Sequence, residues 1–156
     1  PLNLGVSEKN GEFIFHSYPS LSAAASLTRL YDALEAEEIR CPVVRLDEYC
    51  FSQSIQADFI KCDVEGAELL VFRGAEKLLI RDQPAVFSEM LRKWAAKYDY
   101  HPNDLIRFMQ HLGYGCFVME EGHLHECPEV TEQTLHTNYL FLHRSKHAAM
   151  LQELLC

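Results

Sequence analysis

A strand that runs into an acid, a glycine and the start of a helix leaves a chain few folds to choose from. Residues 57–64, Ala57-Asp58-Phe59-Ile60-Lys61-Cys62-Asp63-Val64, are apolar enough for a strand buried on both faces, as in a parallel sheet. From about Gly66 to Ile80 the apolar residues fall at helical spacing instead, with Leu69, Leu70, Phe72, Ala75, Leu78 and Leu79 as the buried stripe. Ligands of open parallel sheets bind in the crevice beyond the carboxyl ends of the strands. Asp63 is expected at that crevice, with Glu65 two residues on.

The rest of the chain repeats this grammar. Leu2–Val6 reads as the end of a strand, Glu8-Lys9-Asn10-Gly11 as a turn, and Glu12–Tyr18 as an aromatic strand stopped by Pro19. The spacing predicts a helix over Leu21–Glu38, rich in Ala, Leu and Glu, although Ser20–Ala23 reads equally well as loop. Short strands follow at 42–46 and 84–90. Pro102 opens a helix that Gly113 ends, and Tyr114–Met119 and Asn138–His143 are further strands, with Glu120-Glu121-Gly122 as a turn. Ser145–Leu155 is expected to be helical. Strand, helix, strand, helix, strand describes right-handed crossovers on a parallel sheet, hence one α/β domain with helices on both faces.

Composition narrows the functions. Fourteen Lys and Arg stand against 23 Asp and Glu, a net charge of −9, so no basic patch is at hand to displace counterions from a nucleic acid. No apolar run approaches the ~20 residues of a membrane-spanning helix. None of the six cysteines has another within zinc-knuckle spacing, and the chain does not open on a secretory signal; a reducing, cytoplasmic setting is expected. His123 and His125 have a spacing a metal can use, but His136 and His143 fall at no recognised interval from them, so no metal site is predicted.

A carboxylate at a strand end can hold a ligand hydroxyl, coordinate a cation or take a proton; equally, acids in a first helical turn stabilise it against the helix dipole. Asp63 and Glu65 carry both readings, as does Glu68. Glu89 closes the next strand and faces the same crevice if the two strands are neighbours, in which case like charges shift each other's pKa. The aromatic, basic stretch Leu91–Tyr100, with Trp94 and Tyr98, either lines a pocket or packs its rings on the core.

The segments Val44-Arg45-Leu46-Asp47-Glu48-Tyr49, Asp58–Glu68, Phe72-Arg73-Gly74-Ala75 and Pro84–Glu89, in that order, resemble the FkbM family of S-adenosylmethionine-dependent methyltransferases. Asn3–Gly11, Leu112-Gly113-Tyr114 and Asn138–Phe141 extend the likeness. The resemblance implies a class I methyltransferase fold, a Rossmann-like, mainly parallel sheet. It also implies methyl transfer to a hydroxyl of a small-molecule acceptor, a sugar or secondary metabolite. On that basis Asp63, Glu65 and Glu89 are the expected catalytic residues, and Val6, Ser7 and Asp63 the expected cofactor contacts. No glycine-rich turn of the kind such enzymes place after their first strand precedes a helix here. Residues 1–156 are therefore expected to form the C-terminal two-thirds of the domain, lacking its first strands. The rival expectation is a non-catalytic α/β module that pairs through an open sheet edge or binds a polar ligand at Asp63 and Glu65.

Overall fold

The computed structural model describes residues 2–21, 25–31 and 33–155; Pro1, Cys156 and four positions of the expected helix over 21–38 lie outside the described residues. Among the described residues, nine strands form two sheets. The first holds β1 (Gly5–Val6), β2 (Gly11–Ser17), β3 (Ala25–Ser26) and β4 (Glu37–Val44) in the order β1-β4-β2-β3. The second holds β5 (Phe59–Cys62), β6 (Ala85–Glu89), β7 (Tyr114–Glu120), β8 (His123–Glu126) and β9 (Asn138–His143) in the order β5-β6-β9-β7-β8.

The expected mainly parallel, Rossmann-like sheet with helices on both faces is not what forms. Among the described strands, β1 with β4 and β5 with β6 are the parallel pairs, and the other strand pairs are antiparallel. The reason lies in two connections. Between β2 and β4 no helical crossover is described: Glu37 and Glu38, the end of the expected helix, begin the long strand β4, which returns antiparallel to β2. Tertiary contacts override the helical composition of this stretch. The buried Tyr18 hydroxyl accepts the backbone N–H groups of Leu30 and Tyr31, and Ser26 Oγ meets the Tyr98 hydroxyl at 2.6 Å. At the other end, Glu121 and Gly122, both at positive φ, make the tight turn that folds β8 back on β7.

The expected helix over 66–80 divides into α2 (Glu68–Arg73) and α3 (Glu76–Asp82). The break falls at Gly74, whose Cα lies so close to the Ser7 carbonyl that a Cβ would come within 2.0 Å of it. A short helix not expected from the sequence, α1 (Leu46–Ser52), is tied to both pieces. Its fully buried Asp47 accepts Arg45 side-chain bonds at 3.1 and 2.7 Å, and its N–H donates to the Gly74 carbonyl. The Leu46-Asp47 pair is thus a brace. Two further helices are α4 (Arg92–Ala95) and α5 (Pro102–His111), the latter opened by a box in which His101 and Asp104 cap each other's backbone N–H groups.

Alternation divides the five-stranded sheet into two unlike faces. Cys62, Val86, Tyr114, Cys116, Tyr139 and Phe141 point to one, where Leu69 and Phe72 of α2, Leu79 of α3 and Leu105 and Met109 of α5 complete the main core. The other face is covered at one end by α6 (Ala148–Leu154), whose Leu151 packs with Phe117, Leu124 and Leu142. The rest of that face carries Lys61, Phe87, Glu89, Asn138 and Met119. No helix among the described residues is long and apolar enough to cross a membrane.

Candidate functional site

Parallel pairing of β5 with β6 sets Cys62 opposite Ser88, so the next residues, Asp63 and Glu89, stand side by side where the two strands end. They are the neighbouring acids expected from the sequence, and they face the less covered side of the sheet. Lys61, two residues before Asp63 and so on the same face, places its Nζ 2.9 Å from Asp63 Oδ2. Glu89 lies within hydrogen-bonding reach of Asp63. Burial, then the Asp63 charge and that shared hydrogen bond, and then Glu65, hold the Glu89 carboxyl above the usual carboxylate range, with Lys61 opposing. Asn138, the register partner of Glu89 on β9, completes the row.

Past Asp63 the chain turns through Glu65 at φ 51° and Gly66 at φ 100°, conformations that a turn before a helix demands. Gly66 is required twice over. Besides its φ, a Cβ there would come within 2.5 Å of the Trp94 carbonyl oxygen. Glu65 is half-buried at the tip; burial first, and then the charges of Asp63 and Glu68, raise its carboxyl, with Lys93 opposing.

Glu68 is a different kind of acid. Its side chain is buried under the loop, where Oε1 accepts the N–H groups of Gly66 at 3.0 Å and Val64 at 3.4 Å, and Oε2 accepts the Tyr100 hydroxyl at 3.0 Å. Burial pushes this carboxyl up, and those donors pull it part of the way back. Glu68 and Tyr100 lock the loop that aims Asp63 and Glu65. The sequence signal for Glu68 was its place in the acidic block; for Tyr100, 32 residues away, no local signal exists.

The residues expected to hold the cofactor lie in different surroundings. Ser7 is buried, gives its N–H to the Val44 carbonyl, and lays its own carbonyl against Gly74, away from the acids. Val6 lines an apolar cavity of about 390 Å³ together with Ile60, Cys62 and Val64, so it shares a wall with the strand that ends in Asp63. Trp94 packs edge-on against Tyr31 at 5.2 Å and is buried, and the Tyr98 hydroxyl meets Ser26. These rings therefore belong to packing. His123 and His125 sit on β8, and among the described residues no group of three or more His, Cys, Asp or Glu is placed to hold a metal ion.

The structure therefore gathers three of the expected catalytic acids, Asp63, Glu65 and Glu89, at one end of one parallel strand pair, and adds Lys61. Neither the curated proteins nor the solved structures give a match to the chain. The model of the methyltransferase FkbM domain, however, matches residues 2–116, well over half of the 156 residues, and the chain belongs to that family.

Proposed function

We propose that this methyltransferase-family chain transfers a methyl group from S-adenosylmethionine to a hydroxyl oxygen of a small molecule, at the crevice beyond β5 and β6. The observation that carries the reading is the side-by-side placement of Asp63 and Glu89 at the ends of the parallel pair. The residues present fit such a donor in two respects. A cationic sulfonium suits a crevice edged by three carboxylates, and the apolar cavity lined by Val6, Ile60 and Val64 runs along the strand that ends in Asp63 and has room for a flat, apolar ring. When bound, the donor supplies an electrophilic methyl group.

The chain's own residues do the rest. Lys61 fixes the Asp63 carboxylate, which accepts a hydrogen bond from the acceptor hydroxyl and orients its oxygen. Glu89, held above the usual carboxylate range, is the stronger base of an ordinary pair and takes the hydroxyl proton as the oxygen becomes alkylated. Glu68 and Tyr100 keep the loop from shifting while this happens. Asp63→Asn and Glu89→Gln are expected to cut release of S-adenosylhomocysteine by about 100-fold, the low end of what a positioned acid or base contributes, with the fold retained. Turnover unchanged in both variants would remove the acids from the reaction.

A second reading, a binding module that pairs through its sheet edge, rests on β5. It is an edge strand whose Phe59 side of the sheet is 60% exposed at that residue. Turnover that is lost in Asp63→Asn, in a chain that stays monomeric in solution, favours the enzyme.

A further inference from the structure

A second cavity, of about 420 Å³, lies on the less covered face of the five-stranded sheet, along the same face as Asp63 and Glu89. Its floor is apolar: Phe87, Leu140, Met119 and Leu124, one from each of β6, β9, β7 and β8. Phe87 lies two residues before Glu89, and Asn138, at the cavity's polar end, is the register partner of Glu89. The acid pair and the cavity are therefore neighbours on one surface. Apart from Phe87, every residue that lines it lies beyond residue 116, where the match to the family ends. The pocket is therefore built mainly by the C-terminal segment of the chain.

We infer that this cavity is the acceptor subsite, and that it takes an uncharged or cationic molecule with an apolar body of roughly ring size, its hydroxyl turned towards Glu89. The inference rests on the reading of the acid pair given above. The volume lies within the usual range of ligand pockets, and the apolar floor with a few polar groups at one end is their usual make-up. The polar end is preorganised. The Tyr139 hydroxyl donates to the His136 carbonyl at 2.8 Å, the Met90 N–H donates to the Thr137 carbonyl at 2.7 Å, and the His136 ring meets Glu120 at 2.6 Å. Asn138 offers both an amide carbonyl and an N–H to a hydroxyl beside Glu89. Two apolar side chains that line it are largely exposed: Leu135 is 90% exposed and Met119 55%. A bound apolar body would bury both.

Charge decides what is refused. Asp63 and Glu89 stand on this face beyond the cavity; Lys61 is already paired with Asp63, and the His136 ring of the cavity with Glu120. A carboxylate or phosphate on the acceptor would add negative charge beside Glu89, and a sugar would lay its hydroxyls on a floor of Phe and Leu.

The test is a chemical-shift titration of the full chain with 2-phenylethanol, phenylacetate and glucose, with no methyl donor present. 2-Phenylethanol should shift the amides of Met119 and 136–140 with a dissociation constant of about 1 mM or tighter, and phenylacetate and glucose should bind at least tenfold more weakly. Met119→Glu, a change at an exposed strand position that the fold tolerates, should weaken 2-phenylethanol at least tenfold. Equal binding of phenylacetate, preference for glucose, shifts elsewhere than at this face, or no effect of Met119→Glu would each overturn the inference. Because no donor is present, loss of methyl transfer with this binding intact counts against the proposed reaction and not against the pocket.

Discussion

Gly66 carries the sharpest residue-level demand in the molecule. Its φ of 100° suits glycine, and its Cα faces the Trp94 carbonyl with no room for a Cβ. Gly66→Ala is expected to cost about 3 kcal/mol, from left-handed strain together with overpacking, and so to lower the melting temperature by roughly 6–12 °C. An unaltered melting temperature would mean the loop can move away from Trp94. Glu89 gives a prediction with a definite sign. Its carboxyl is raised on folding by burial and by Asp63, so the native state binds its proton more tightly than the unfolded chain does. The native state therefore loses stability as pH rises from the ordinary glutamate value through the raised one, and the penalty persists above it. Glu89→Gln removes it: melting at pH 7 should rise relative to the parent, and melting at pH 3.5, where both states are protonated, should not change. A fall at pH 7 would contradict the placement of the two acids. The acids themselves were legible in the sequence because strand ends and a glycine turn mark them locally. Their locks were not, since Tyr100 reaches Glu68 across 32 positions and Lys61 reads as one more polar residue in a strand.

Among the elements, the join between β9 and α6 is held by two histidines in the same way. His147 Nδ1 accepts the His143 N–H at 2.9 Å, and His143 Nδ1 accepts the Lys146 N–H at 3.3 Å, roles open only to neutral rings. Burial, and then the Lys146 charge, lower both histidines below their ordinary value of 6.5, while the Tyr114 ring packs edge-on against His143. The unfolded chain thus takes up protons first as pH falls, and the stability of this join, full above pH 6.5, is lost below it. The amide of Leu151, which donates to the His147 carbonyl, should lose protection relative to the amides of β7 between pH 7 and pH 5, as read by hydrogen exchange. Equal protection at both would show that neither ring accepts. At this scale the sequence served well where one element packs on its nearest neighbours: β5, β6, α5, β7 and β9 lie close to where periodicity puts them. It misled where distant groups decide. The Ala-rich stretch after Pro19 has helical composition, but Tyr18 and Tyr98 bind its described backbone and side chains in another shape, and β4 begins where the helix was expected to end. Likewise a continuous stripe from Leu69 to Leu79 concealed the break at Gly74, where the Ser7 carbonyl that packs against it is remote in sequence.

For the molecule as a whole, the family assignment survives a fold that differs from the one it suggested. Antiparallel returns through β9 and β4 replace the expected run of parallel crossovers, yet the one parallel pair that matters, β5 with β6, is present and ends in the two acids. A net charge of −9, with acids gathered at that crevice, agrees with a cationic partner there. The most direct test is calorimetric titration of the folded chain with S-adenosylmethionine, comparing the parent with Asp63→Asn. Binding of the parent tighter than about 100 μM, about 5.5 kcal/mol, with at least a tenfold loss in Asp63→Asn, is the predicted result; a folded parent that gives no heat, or a variant that binds as the parent does, would contradict it.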